Sequence, residues 1–70
     1  MEVLVYKTNI NHRTDIEKIS PVLSQYNKVL AWNVDIDDID KVLRIEAMTN
    51  ISNEIQNIIN QSGYTCQEME

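Results

Sequence analysis

Short alternations of apolar and polar residues, separated by two longer helical stripes, divide the 70-residue chain into six elements. Alternation with a period of two predicts four strands. Apolar spacings of three and four residues predict one helix after the first strand and another after the third. The predicted strands run from Val3 to Thr8, Lys28 to Asp35, Lys41 to Ala47 and Tyr64 to Glu68.

The first strand is apolar on both sides, as is typical of a central strand. Val3 and Val5 point to one side, and Leu4 and Tyr6 point to the other. We expect Leu4 and Tyr6 on the solvent-facing side of the sheet, where they would form a small apolar patch.

The two middle strands are predicted to pair as a hairpin with a connection of several residues. In the second strand, alternation places Leu30, Trp32 and Val34 on one face. In the third strand, Leu43 and Ile45 share a face. We interpret Trp32 as part of the core.

The first helix is predicted to begin at a capping box formed by Thr14 and Glu17. Its apolar face consists of Ile16, Ile19, Leu23 and Tyr26. Pro21 lies inside this helix and removes a backbone donor, so we expect a kink or a weakened hydrogen bond near Glu17.

The second helix is predicted from about Ile51 to Ser62. Thr49 or Asn50 can cap its start, and Gly63 stands where a left-handed residue ends a helix. Its apolar stripe consists of Ile51, Ile55, Ile58 and Ile59.

The order of elements predicts one α+β domain over residues 1–70, a βαββαβ sandwich of the ferredoxin-like type. Two helices cover one face of a four-stranded antiparallel sheet, and the other face is open to solvent. The chain is too short for a second domain.

Charge and composition exclude several classes of partner and suggest a cellular compartment. Eleven acids against six bases give a net charge of −5, and the bases form no stripe, which argues against nucleic acid and anionic membranes as partners. No apolar run approaches a membrane span, and the first residues do not look like a signal peptide. Cys66 is the only cysteine, which favours a reducing compartment, so we expect a cytoplasmic protein.

The segment Ile58 to Tyr64, an apolar helix closing in Gly-Tyr, and the strand Val29 to Asp35 resemble the heavy-metal-associated domain family. This family contains small copper chaperones and the N-terminal domains of metal-transporting ATPases. The resemblance covers almost the whole chain. It implies the fold described above and a non-enzymatic module that carries metal.

The family's metal loop, which lies between the first strand and the first helix, contains a methionine and two cysteines. Aligned through Ile19 and Leu23, these positions fall on Ile10, His12 and Asp15, so both thiolates are replaced. Copper(I) prefers thiolates, whereas histidine and carboxylate suit zinc, nickel or copper(II). The resemblance therefore implies a divalent metal held by His12 and Asp15, with further ligands from elsewhere.

Each candidate residue also has a structural interpretation. Asp15 fits a first-turn acid that favours the helix dipole, and His12 fits an exposed loop histidine. Cys66 fits a small apolar residue or a free thiol. Asp35, Asp37 and Glu46 match three positions of a calcium-loop template, but the glycine of that template is replaced by Asp40.

Two functions stay open. One is a metal-binding or metal-carrying module with altered ligands. The other is a metal-independent protein-interaction module that uses the acidic hairpin or the open sheet face, either as a monomer or as a weak homodimer. An enzyme is not expected, because no nucleophile with a nearby base and no glycine-rich phosphate loop occur in the sequence.

Overall fold

A computed structural model describes residues 1–69 and shows the predicted order of elements. The strands are β1 (Glu2–Thr8), β2 (Val29–Asp35), β3 (Val42–Ala47) and β4 (Cys66–Glu68), and the helices are α1 (Arg13–Ser24) and α2 (Ser52–Gln61). All strand pairs are antiparallel, and the order across the sheet is β2-β3-β1-β4. This is the ferredoxin-like sandwich predicted from the sequence. Within residues 1–69, neither helix has the length and apolar character that a membrane span requires.

The side of β1 that faces the core is the opposite of the one predicted. Leu4 and Tyr6 are buried, with 6% and 0% exposure, and they pair with Ile45 and Leu43 of β3. Val3 and Val5 therefore lie on the open face. Both sides of β1 are apolar near its start, so alternation alone does not distinguish them. Lys7, however, lies on the same side as Val3 and Val5, and its charge marks that side as the one facing solvent.

A β-bulge in β2 corrects the predicted position of Leu30. Val29 pairs with Ala47 and Ala31 with Glu46, so Leu30 is the extra residue. Leu30 is exposed, whereas Trp32 and Val34 pack against the core as predicted. A bulge adds one residue to one strand and shifts the alternation on its far side, so Val29, not Leu30, contacts the core at this end.

Helix α1 begins earlier than predicted. His12, with extended backbone angles, precedes the first helical residue, so Thr14 lies inside the first turn and is not the cap. Asp15 is the acidic residue of that turn, as predicted. The helix continues through Pro21 to Ser24, and its Ile19 and Leu23 are fully buried.

Helix α2 has the predicted bounds to within one residue at each end, but Ile51, and not Thr49 or Asn50, stands at the N-cap position. The Asn50 side chain accepts the Ser52 backbone N–H at 3.0 Å, and the isoleucine stripe packs on the sheet. Gly63 has a φ of +96°. The Gly63 N–H donates to Asn60 O at 3.0 Å and the Tyr64 N–H donates to Ile59 O at 3.2 Å, which is the paired arrangement of a Schellman C-cap.

Candidate functional site: the β1–α1 loop and its neighbours

The β1–α1 loop, residues 9–12, is anchored to the core by Ile10. This side chain is 0% exposed, and its backbone N–H donates to Thr8 Oγ1 at 3.2 Å. The Thr8 hydroxyl in turn donates to the carbonyl of Lys41, and the Thr8 N–H donates to Asp40 O at 3.2 Å. Ile10 therefore holds the loop from inside the protein.

Asp15 closes the loop from the helix side. Its Oδ2 accepts the backbone N–H groups of Asn11 at 3.3 Å and His12 at 3.1 Å. Its Oδ1 accepts the phenolic hydroxyl of Tyr64 at 2.8 Å. Both oxygens of this carboxylate are thus engaged, and the loop is tied to the residue that follows the Gly63 cap.

These hydrogen bonds favour the charged form of Asp15. The Tyr64 hydroxyl, and then the two backbone amides, hold the pKa of the Asp15 carboxyl below its ordinary value. The same contact raises the pKa of Tyr64, because ionisation would remove the donated proton and place two anions together. The pair is arranged to keep Asp15 ionised and Tyr64 neutral.

A second contact between the same two loops comes from Asn9. Its Oδ1 accepts the backbone N–H of Thr65 at 2.9 Å. Neither Asn9 nor Tyr64 is a site residue in the sequence prediction. The Gly-Tyr pair at the end of the second helix draws attention to Tyr64 in the sequence. The contact of Tyr64 with Asp15, however, joins residues 49 positions apart, and no local pattern predicts it.

The residues present do not form a closed metal site within residues 1–69. His12 is exposed at the start of α1, and Asp15 lies one helical turn further on. No group of three or more histidine, cysteine, aspartate or glutamate side chains is placed to hold an ion in the described part of the chain. A closed site needs about four ligands, so His12 and Asp15 require additional donors from water or another molecule.

Cys66 lies on β4 opposite Thr8 and is partly buried against the core. Burial raises the pKa of its thiol to about 11, because a thiolate is disfavoured in apolar surroundings. A soft metal binds the thiolate, so Cys66 offers little to a copper(I) ion. The predicted interpretation as a small apolar residue agrees with this position.

The acidic β2–β3 hairpin has its turn at residues 36–41, and two aspartates, one at the end of β2 and one in the turn, build it. Asp35 Oδ1 accepts the N–H groups of Asp37 at 3.2 Å and Asp38 at 3.3 Å, and Asp38 Oδ1 accepts the N–H of Asp40 at 2.8 Å. Lys41 has a φ of +50°, and its Nζ donates to the Ile36 carbonyl at 2.7 Å. Of the residues that match the calcium-loop template, Asp35 is thus engaged with the backbone of its own turn, which does not fit that alternative.

The tip of the hairpin remains exposed. Ile39 is 91% exposed, and the Asp37 side chain makes no hydrogen bond or ion pair with residues 1–69. Asp40 lies 3.5 Å from the Lys7 ammonium. Hydrogen bonds of Thr8, Asn9 and Asp15 join the β1–α1 loop to the hairpin and to the α2–β4 turn. These three segments form one surface, which we call the loop end.

Comparison with known proteins gives a clear result for the fold. No family model and no curated protein matches the sequence. Among solved structures, the N-terminal domain of PacS from Synechocystis is similar over 100% of both chains, with a TM-score of 0.83 and 8% identity. The yeast copper transporter domain, described in apo and copper(I)-loaded states, is similar over 100% of this chain and 97% of its own, with a TM-score of 0.83 and 11% identity.

The copper(I)-loaded first domain of the human copper chaperone for SOD1 is also similar, over 94% of this chain and 89% of its own. Its TM-score is 0.77 and its identity is 14%. The chain therefore has the fold of heavy-metal-associated domains, and the resemblance inferred from the sequence is confirmed at the level of structure.

Proposed function

We propose that this chain, which has the fold of metal-chaperone and metal-transporter domains, is a non-enzymatic cytoplasmic binding module. It docks a partner protein through the loop end and needs no metal ion to order that surface. The supporting observation is the Asp15 carboxylate, which accepts three hydrogen bonds from Asn11, His12 and Tyr64. The chain itself thus supplies contacts that fix the loop.

The partner we expect is a protein with a basic surface around an apolar depression. The side chains of Asp37 and Ile39 are exposed at the hairpin tip, and the Asp37 carboxylate takes no part in the hydrogen bonds that build the turn. Opposite charges steer encounter and select partners, while an exposed isoleucine supplies apolar contact that a purely charged tip lacks. The net charge of −5 favours a basic partner further.

A titration followed by amide NMR tests the metal-free part of this proposal. Zinc, nickel and copper(II) are added separately to the wild-type chain and to His12→Asn, which removes the imidazole and keeps the loop polar. We expect no saturable change in the amide signals of residues 10–15. Saturable shifts there that disappear in His12→Asn would overturn the metal-free proposal.

That opposite outcome would support a second candidate, a divalent metal module that uses His12 and Asp15. The observation in its favour is the exposed position of His12 at the start of α1, close in sequence to a carboxylate. The ion would have to displace backbone or Tyr64 hydrogen bonds from Asp15, and a second chain or water would complete the ligand set. Copper(I) does not fit, because neither donor is a thiolate.

Affinity capture tests the docking surface. Bait carrying Asp37→Asn and Ile39→Ser keeps the turn-forming aspartates but loses the projecting charge and the apolar contact. The matched control is Asn57→Ser on the exposed side of α2. We expect proteins that bind the wild-type and control baits to be missing from the double variant, and identical captures from all three baits would contradict the proposal.

A further inference from the structure

Within residues 1–69, both helices pack on one face of the sheet, and neither covers the other face. Burial of Leu4, Tyr6, Leu43 and Ile45 shows that these four point to the helices, so their alternate neighbours point away. This open face is lined by Val3, Val5 and Lys7 of β1, Val42, Arg44 and Glu46 of β3, Ala31, Asn33 and Asp35 of β2, and Gln67 of β4.

The open face differs from the remaining surface in charge. It carries two bases, Lys7 and Arg44, and two acids, Asp35 and Glu46, so it is neutral, and the whole net charge of −5 lies elsewhere. Two copies of an acidic protein repel each other over most of their surfaces. On the open face that repulsion is absent.

We propose that the open face binds the same face of a second copy. The two copies are related by a two-fold axis that lies between the two faces and runs parallel to the row formed by Trp32, Ile45 and Leu4, across the strands. These three residues lie side by side in the ladder. Rotation about this axis lays β3 of one copy over β3 of the other in the opposite direction. Symmetry makes every contact occur twice.

The register of the ladder makes this arrangement complementary. Arg44 and Glu46 lie one step to either side of Ile45, and Val5 and Val3 lie beside them on β1. After rotation, Arg44 of each copy faces Glu46 of the other, and Val3 faces Val5. Packed sheets cross at about 30°, so the contacts near the axis are the ones that persist.

The size of the face indicates a weak dimer. Three strands about 20 Å long and the three-residue β4, about 10 Å long, lie about 4.8 Å apart and give a footprint of about 340 Å². That is less than half of the ~800 Å² per partner that a standard stable interface buries. We therefore expect reversible association over protein concentrations from about 10 µM to about 1 mM.

Charge exchange at the axis tests the proposal by sedimentation velocity. Arg44→Glu places like charges against Glu46 of the second copy, Glu46→Arg places like charges against Arg44, and the double exchange restores both pairs. Lys18→Glu, on the exposed side of α1, changes the net charge by the same amount as Arg44→Glu and is the matched control. Amide spectra of each variant check that the fold is retained.

We expect the average mass of the wild-type chain and the Lys18→Glu control to rise with concentration from 8.2 kDa towards twice that value. Each single exchange should raise the dissociation constant at least about tenfold, and the double exchange should restore the wild-type value. A wild-type chain that stays monomeric at about 1 mM, or a double exchange as weak as the single ones, would overturn the proposal. Partner docking through the loop end is a separate surface and is unaffected by that result.

Discussion

Replacement of Ile10 by alanine tests whether the core, and not a bound ion, anchors the β1–α1 loop. Ile10 is 0% exposed, and removing a buried isoleucine side chain beyond Cβ costs about 2–5 kcal/mol because the cavity is only partly refilled. A chain of 70 residues has a total stability of about 4–10 kcal/mol. We therefore expect Ile10→Ala to lose about half of the free energy of unfolding.

Urea denaturation followed by circular dichroism measures this loss. For a small domain the dependence on urea is about 1 kcal/mol per M, so the midpoint should fall by about 2 M or more. Ile39→Ala is the matched control, since the same side chain is removed at a position that is 91% exposed. Its free energy of unfolding should change by no more than about 0.5 kcal/mol.

The comparison refutes the reasoning if the two variants have the same midpoint. Ile10 would then not be packed as the structure shows, and the loop would depend on something other than the core for its position. Equal slopes on the urea axis are required as well, because a changed slope indicates a changed unfolded or native state. Measurements with a chelator present keep trace metal from contributing.

Three further predictions concern Tyr64, Cys66 and Gly63. Tyr64→Phe removes the main cause that lowers the pKa of Asp15, so carboxyl NMR should show the pKa of Asp15 rising towards its ordinary value of 3.8. Because the pKa of Asp15 is depressed in the folded wild-type chain, that chain should lose stability as the pH falls below 3.8, and the variant should lose less. The Cys66 thiol, with a pKa of about 11, should react slowly with a thiol reagent at neutral pH and rapidly once urea unfolds the chain. Gly63→Ala should lower the free energy of unfolding by about 1–2 kcal/mol through backbone strain alone, since φ is +96° and a Cβ would meet nothing within 4 Å.

The predictions that succeeded rest on local patterns. The isoleucine stripe of α2 repeats at intervals of no more than four residues, and Gly63 follows its last isoleucine by four. Both features are recognised without knowledge of the tertiary structure. The βαββαβ order follows from the alternation of two periods along the chain. The hairpin of β2 and β3 was equally accessible, because its strands are neighbours in sequence.

Two of the predictions that failed concern contacts between strands, although Lys7 was a local sign of the solvent side of β1. The core side of β1 is set by Leu43 and Ile45 across the sheet, and the exposure of Leu30 is set by a bulge against Ala47. The start of α1 involves both local and distant contacts of Asp15. Its carboxylate accepts backbone N–H groups three and four residues earlier and the hydroxyl of Tyr64, 49 residues away. The capping box predicted at Thr14 took account of neither.

The same distant contacts bear on the candidate site. A pair of cysteines at the positions of His12 and Asp15 would leave their sulfurs with few strong hydrogen bonds, and a copper(I) ion would satisfy both. A carboxylate at Asp15 is instead satisfied by Asn11, His12 and Tyr64. The chain thus satisfies this carboxylate with its own groups.

A loop ordered in this way has a consequence for binding. Association is weakened by the entropy of ordering whatever moves at the interface. Ile10 holds the loop from below, Asp15 holds it from the helix, and Asn9 and Thr8 join it to the neighbouring turns. The docking proposed for the loop end therefore requires little further ordering, because folding has already fixed this surface.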